Sequence, residues 1–314
     1  MKLTFVSIAF FIIAVVAWLL TSINQYDTVT QDQTDTSPIP KAKVTANSDA
    51  QTAHQSDIDA SLAKNVAIDR GNALIVVKRR GWRLGSPLSE HIDALKERFA
   101  SGNAEAGYLL GANLRYCLWA PVDDNALNAK LKEMSEFSDA DESIERENKR
   151  YDYCEGIETP ERAQYFAYLF DSALAGYVQS QEFIGGITAE QYMKIQSTNE
   201  LSRDELVAMR NEFNQHKLAF LEAAAKQGSV HALTRLSDLF NSQNYGEKGK
   251  EKAFALNQII LELTDNNDIY NRYTFFQERL RAQLNDEELD YAYTMSQQWL
   301  NRIQANGTLY PLDN

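Results

Sequence analysis

Glycine and proline are scarce in this chain. With 14 glycines and 6 prolines in 314 residues, it has too few for an all-β protein built on tight turns. Histidine is scarcer still: His54, His91, His216 and His231 are the only ones. No H-E-x-x-H occurs, no two histidines fall within one helical turn, and no Walker or dinucleotide glycine loop is present. Basic residues are outnumbered 31 to 44, leaving a net charge of −13. A nucleic-acid partner, which needs a concentrated basic surface, is therefore not expected. The one basic cluster, Lys78, Arg79, Arg80 and Arg83, is short and reads as a solvated face. Neither Cys117 nor Cys154 has a second cysteine or histidine at ligand spacing. Asp139 to Glu142 and Asp265 to Asp268 lack the glycine and terminal glutamate of a calcium loop. No catalytic set, metal or cofactor is assigned.

Long uncharged runs are also missing, with one exception at the start. Lys2 precedes a stretch from Leu3 to Leu20 that carries no charge and holds twelve Leu, Ile, Val or Phe residues. Extended to Ile23, it would make a helix of roughly 31 Å at 1.5 Å per residue, enough to cross the hydrocarbon core. Those side chains are together worth about −4 to −7 kcal/mol for insertion. A cleaved signal peptide is the competing reading. Against it, Trp18, Leu19 and Leu20 directly follow Ala17, and Thr21-Ser22-Ile23-Asn24 is a poor cleavage site. Residues 1–25 are thus expected to be an uncleaved transmembrane anchor. Lys2 lies before the span, and Asp27, Asp32 and Asp35 follow it. The positive-inside bias then leaves the amino terminus in the cytoplasm and the rest outside.

Residues 26–56 are rich in Thr, Gln, Asp, Ser and Pro and almost free of large apolar side chains, so they read as a disordered tether. A flexible chain of this length has an end-to-end distance of roughly 30 Å. In the exported orientation a disulfide between Cys117 and Cys154 is allowed. It would close a loop for which chain entropy gives about 4 kcal/mol. The alternative is two thiols buried in helices.

Residues 57–314 carry a helical pattern almost throughout. Leu74 to Val77 is read as part of a helical cap rather than a strand. Pro87 is placed to open a helix with the stripe Leu88, Ile92, Leu95 and Phe99. Thr188 with Gln191 and Ser202 with Glu205 have capping-box spacing. Asn285 can cap a last helix that has Glu287 and Glu288 in its first turn, and Pro160 suits the first turn of another.

A degenerate motif recurs three times within this region. Its copies are Phe99, Gly102, Ala106, Leu110, Gly111; then Ala173, Gly176, Ser180, Ile184, Gly185; then Ala225, Gly228, Ala232, Leu236, Ser237. Each leading glycine falls where one helix ends and the next begins, and the small residues lie on a face that a neighbouring helix would cover. The interval from Gly102 to Gly176 fits two units of about 37 residues. From Gly176 to Gly228 there is one unit plus an insertion, residues 187–210, read as an added helix. Lys252, Ala253, Leu256 and Ile260 suggest a fourth unit. Phe166, Tyr168, Leu169, Phe170, Phe220 and Leu221 precede the later glycines and read as core.

The stretch LEAAAKQGSVHALTRLSDLFNSQNYGEKGKEKAFAL resembles one unit of the Sel-one-like repeat, a relative of the tetratricopeptide repeat. Ala225, Gly228, Ala232, Leu236, Lys252 and Ala253 occupy the places of its Ala, Gly, Ala, Leu and Lys-Ala pattern. GNAEAGYLLGANLRYC and SALAGYVQSQEFIGG match less closely, and Ser237, Ser180 and Phe240 depart from the pattern. The resemblance implies an all-α fold, an α/α solenoid of helix pairs with its best units near residues 95–135, 160–186 and 217–262. Together with the short anchor and its flanking charges, the resemblance points to a bacterial inner-membrane protein with a periplasmic carboxy-terminal domain.

Such arrays usually bind proteins and rarely do chemistry. The expected partner is therefore another envelope protein or a peptide, with the membrane held through the first helix and a homodimer as a further candidate. The alternative is a cell-wall-binding or hydrolytic envelope enzyme. Ser61-Leu-Ala-Lys64 has the S-x-x-K spacing of penicillin-recognising enzymes, and Lys226-Gln-Gly228 and Ser242-Gln-Asn244 could pose as companion motifs. Those enzymes carry the lysine motif on a β-sheet, whereas Lys226 lies inside a repeat.

Overall fold

The structure is a computed structural model that describes residues 74–136, 140–196, 201–242, 246 and 248–312. All of them belong to the unit Ala60–Asn314. The expected anchor and tether, His54 and the Ser61 to Lys64 motif lie outside the described residues. No described helix is long and apolar enough to cross a membrane.

The described chain is mostly helical. A 3-10 turn at Leu88–Glu90 leads into α1 (Ile92–Ala100), α2 (Ala104–Cys117), α3 (Asp124–Met134), α4 (Ala140–Cys154) and α5 (Thr159–Arg162). Then come α6 (Tyr165–Leu174), α7 (Val178–Gly186), α8 (Ala189–Ile195) and α9 (Arg203–Lys226). The last helices are α10 (Val230–Asn241), α11 (Gly249–Leu263), α12 (Asn267–Arg281) and α13 (Asp286–Asn306). Pro87 caps the 3-10 turn, not a continuous helix, and the chain re-forms as α1 after His91. Thr188–Gln191, Ser202–Glu205 and Asn285–Glu288 each close a complete capping box.

The three motif glycines share one geometry. Gly102, Gly176 and Gly228 have φ of +94°, +89° and +84°. At each, the amide of the following residue reaches five residues back: Asn103 to Arg98 (3.0 Å), Tyr177 to Ser172 (3.1 Å) and Ser229 to Ala224 (3.1 Å). This is the helix-ending motif that a left-handed residue permits. After two of the glycines a side chain opens the next helix, Asn103 to the Ala106 amide and Ser229 to the Ala232 amide. The motif residues Ala106, Leu110, Ala173, Ala225, Ala232, Leu236 and Ala253 are all buried.

Later motif positions set how close the helices come. A Cβ on Gly111 would stand 2.7 Å from the Tyr165 carbonyl oxygen, and one on Gly185 would stand 2.3 Å from Leu221 Cδ2. Glycine there lets α2 lie on α6 and α7 lie on α9. The third copy substitutes Ser237, whose hydroxyl donates to Asn257 Oδ1 at 2.5 Å. Helices thus pack in the order α1, α2, α6, α7, α9, α10 and α11, with α12 and α13 both against α11.

The interval from Gly102 to Gly176 does not hold two stacked units. The main neighbour of α2 is α6, and α3 with α4 stands to the side of that line. The physical reason is in α3, which buries no residue and so offers nothing to stack on. The side pair is fastened at its end instead. Cys117 Sγ and Cys154 Sγ are 2.05 Å apart, a disulfide joining the ends of α2 and α4. Beside it the buried Arg162 donates to the carbonyls of Cys117 (3.1 Å), Ala120 (2.6 Å), Cys154 (3.2 Å) and Ile157 (2.7 Å). Burial lowers the pKa of this guanidinium. Its charge is met by the negative carbonyl ends of two helices, with no carboxylate among its hydrogen-bond partners.

Two further expectations change. The insertion at residues 187–210 is not one helix. It is the short α8 followed by an extension of α9, and Tyr192 stacks on Phe213 at 4.2 Å to join them. Leu74 to Val77 is not a helical cap either. Ile75–Val76 forms β1, which runs parallel to β2 at Thr308–Leu309. The amides of Ile75 and Val77 donate to the carbonyls of Gly307 and Leu309, each at 2.8 Å. The end segment is pinned in turn at α10, where Tyr310 exchanges main-chain hydrogen bonds with Gly228 (2.9 Å) and Val230 (3.0 Å).

Candidate binding groove

Helix α2 has two faces. One buries Ala106, Leu109, Leu110, Leu114 and Cys117 in the core. The other presents Tyr108, Ala112, Arg115 and Tyr116, spaced i, i+4, i+7 and i+8 as one stripe. That second stripe is the floor of a groove of about 590 Å³, with Phe183 of α7 and Tyr165 of α6 continuing it.

The walls come from segments that interrupt the helix stack. Leu118 and Trp119, with Arg150 of α4, rise on one side. Ile187 and, from α8, Gln191, Lys194 and Ile195 form another, and Trp82 lies at the end nearest the amino-terminal segment. Trp119 is 76% exposed although Cys117, two residues before it, is fully buried. Lys130 holds this corner, donating to the Trp119 carbonyl (3.1 Å) and pairing with Glu147 (2.7 Å).

Rings and guanidinium groups set the electrostatics. Trp82 packs on Tyr116 with centroids 5.1 Å apart, and Tyr116 meets Tyr153 edge-on at 5.7 Å. Arg83 lies over both tyrosines, at 5.3 Å and 5.1 Å. Arg115 lies over Phe183 at 4.6 Å and Arg150 over Tyr116 at 5.2 Å. Burial pushes the Tyr165 hydroxyl pKa up, with Arg115 opposing the shift. Among the described residues no carboxylate lines the groove. In a chain of net charge −13, it is a local reversal of sign.

In the basic cluster Lys78, Arg80 and Arg83 are exposed, as expected of a solvated face, and Arg79 is the exception. Arg79 pairs with Glu182 at 2.6 Å, with both side chains largely buried, and also donates to the Pro311 carbonyl. Glu182 accepts from Ser229 as well (2.5 Å). Arg80 pairs with Glu105 (2.6 Å), while its main chain exchanges two hydrogen bonds with the Gln179 amide group. Farther along, Asn113 donates to the Trp82 carbonyl (2.7 Å) and accepts from Tyr153. The Tyr153 hydroxyl in turn accepts from the Leu84 amide (3.2 Å). The cluster therefore docks the amino-terminal segment across α2, α4 and α7. A second hollow of about 460 Å³ between Arg80 and His231 shares Trp82, Tyr108 and Phe183 with the groove.

Of the residues singled out in the sequence, only Gln191, the capping-box partner of Thr188, lines the groove. Gly102, Ala106, Leu110, Gly111, Ala173, Gly176, Ala225, Gly228, Ala232, Leu236 and Ala253 serve helix ends and core, and the disulfide lies behind the corner that carries Trp119. Phe166, Leu169, Phe220 and Leu221 are buried core. His91 bonds Ser86 (2.7 Å), His216 packs on Phe170 and Phe220, and His231 accepts from Arg235 (3.3 Å). The signals left unused were the second stripe of α2 and a tryptophan set in a Cys-Leu-Trp-Ala-Pro loop. Among the described residues no group of acidic, histidine or cysteine side chains could hold a metal ion. Compared with protein-family models, curated proteins and solved structures, the chain matches none of them.

Proposed function

We propose that this chain is a membrane-anchored periplasmic scaffold of Sel-one-like helix pairs that binds another envelope protein or a peptide, and that it is not an enzyme. The inner-membrane location and the outward orientation of the folded part rest on residues 1–25 and the charges that flank them. Three glycine-ended helices with equivalent buried small residues support the repeat reading. The observation that carries the binding role is the groove itself. Its floor is aromatic, and Arg115 and Arg150 stand over the rings. Exposed aromatic and arginine side chains beside well-packed apolar surface are the composition of binding hot spots.

The test is crosslinking in native membranes with the full anchored chain, followed by affinity capture and mass spectrometry. One or two envelope proteins recovered reproducibly, with crosslinks on residues of the groove, is the expected result. Only self-crosslinks, or none, would overturn the scaffold reading.

A further inference from the structure

We propose that the groove takes an acidic peptide segment carrying a bulky apolar side chain, the apolar group seated among the aromatic rings and its flanking carboxylates on Arg115, Arg150 and Lys194. This deepens the scaffold reading and rests on it. The first support is charge. Those three cations line the groove, and among the described residues no carboxylate does. Arg115 and Lys194 have no carboxylate partner among the described residues, and the nearest to Arg150 is Glu147 on its own helix, at 3.4 Å. The chain carries 44 acidic side chains, so a described lining with three cations and no carboxylate favours an anionic ligand.

The second support is geometry. A guanidinium stacked on a ring keeps its N–H edge free in the plane, and that edge matches a carboxylate. Arg115 and Arg150 are both held in this way, over Phe183 and Tyr116. A third support separates a peptide from a small anion. The rest of the lining is aromatic or aliphatic, including Trp82, Phe183, Ile187 and Ile195. A volume of about 590 Å³ lies in the range of sites that enclose a ligand of several groups. Burying that surface needs an apolar side chain, which a bare anion lacks.

The test uses the full chain in detergent and four fluorescein-labelled twelve-residue peptides. The first has Asp and Glu flanking a central Leu-Trp, the second has Lys in place of the acids, the third Ser and Gln, and the fourth keeps the acids but replaces Leu-Trp by Ala-Ala. Fluorescence anisotropy is read at low and moderate salt. The acidic Leu-Trp peptide is expected to bind at least tenfold more tightly than each of the others, and more weakly as salt rises. Lys194→Glu and Arg115→Glu should each remove that preference, and Trp119→Ala should weaken the acidic peptide several-fold. Arg302→Glu, an exposed charge reversal on α13, serves as the control for net charge and should change nothing. Circular dichroism of each variant separates lost binding from lost folding.

Equal binding of all four peptides, or a preference that survives Lys194→Glu and Arg115→Glu, would overturn the inference. So would a dimer that the acidic peptide dissociates, because the occupant would then be a second copy. Carrying the doubly reversed chain into the membrane crosslinking keeps the two readings apart. If it captures the same proteins as the unaltered chain, the groove assignment fails and the scaffold reading stands. If neither chain captures any, the scaffold reading itself fails.

Discussion

Replacing Gly228 by alanine should cost about 3–4 kcal/mol, well above the cost of the same change at the other two motif glycines. Gly102, Gly176 and Gly228 all have φ near +90°, where an L side chain costs about 1–2 kcal/mol. Alanine recovers a few tenths to about 1 kcal/mol by restricting the unfolded chain. At Gly102 and Gly176 an added Cβ meets nothing within 4 Å, so those variants report only the backbone term, about 1 kcal/mol each. At Gly228 the Cβ would lie 2.2 Å from the Thr308 carbonyl oxygen and 3.1 Å from Leu309 Cα. Those are backbone atoms, so the end segment must lift. Lifting it breaks the pair of main-chain hydrogen bonds through Tyr310, at about 1 kcal/mol each, and draws Leu309, which is buried, towards water. Urea unfolding followed by far-ultraviolet circular dichroism on all three variants measures the difference directly. A Gly228→Ala cost within about 0.5 kcal/mol of the two controls would refute the claim that the end segment is docked on α10.

Reducing the Cys117–Cys154 bond, or replacing both residues by alanine, should lower stability by about 4 kcal/mol on the chain-entropy estimate. Two titratable thiols in the chain purified without reductant would contradict the pairing. Arg162→Met should cost about 3 kcal/mol or more, because it strands the helix-end carbonyls that the guanidinium serves. Combined with loss of the disulfide it should be non-additive, since both fasten the ends of α2 and α4, and strict additivity in urea unfolding would deny that coupling. Burial raises the Asp238 pKa above its ordinary value, with Arg272 and Arg235 opposing. The folded state therefore holds a proton that the unfolded state gives up, and stability falls as pH rises from about 4 through the raised pKa. Asp238→Asn should raise the thermal midpoint at pH 7 and leave it unchanged near pH 3. A lowered midpoint at pH 7 would mean that the Arg272 pairing outweighs burial.

What could be read from the sequence was local. A glycine that ends a helix, and a serine, threonine or asparagine that starts one, act through residues within five positions, so Gly102, Gly228, Thr188, Ser202 and Asn285 were legible. The buried alanines and leucines of the motif were legible for the same reason, because a helical stripe is a property of one segment. Four features were not. The partner of Ile75–Val76 is Thr308–Leu309, at the other end of the described chain, and a two-residue strand leaves no alternation to detect. The charge of Arg79 looked solvated because Glu182 is 103 positions away. The stacking of α2 on α6 skips the intervening helices, and spacing alone could not distinguish a stacked pair from one set aside. The groove depends on all three of these long-range contacts, so it could not be seen before they were known.

These contacts also place the residues of the proposed groove. The stacked helices carry the repeated glycines and alanines, and their demands are steric. At Gly111 and Gly185 the space for a side chain is already filled by the next helix, so those positions have no freedom to recognise anything. The interruptions face no such demand. Helix α3 buries nothing, Trp119 stands in solvent, and Lys194 sits on the exposed side of α8. Yet they are held firmly, by the disulfide and Arg162 at one wall and by the Tyr192 and Phe213 stack at the other. A rigid frame carrying side chains that packing does not dictate is what selective binding requires, because the ligand does not have to order the site first. In the proposed groove the stacked helices supply the floor and Arg115, and the segments that interrupt the stack supply Trp119, Arg150 and Lys194.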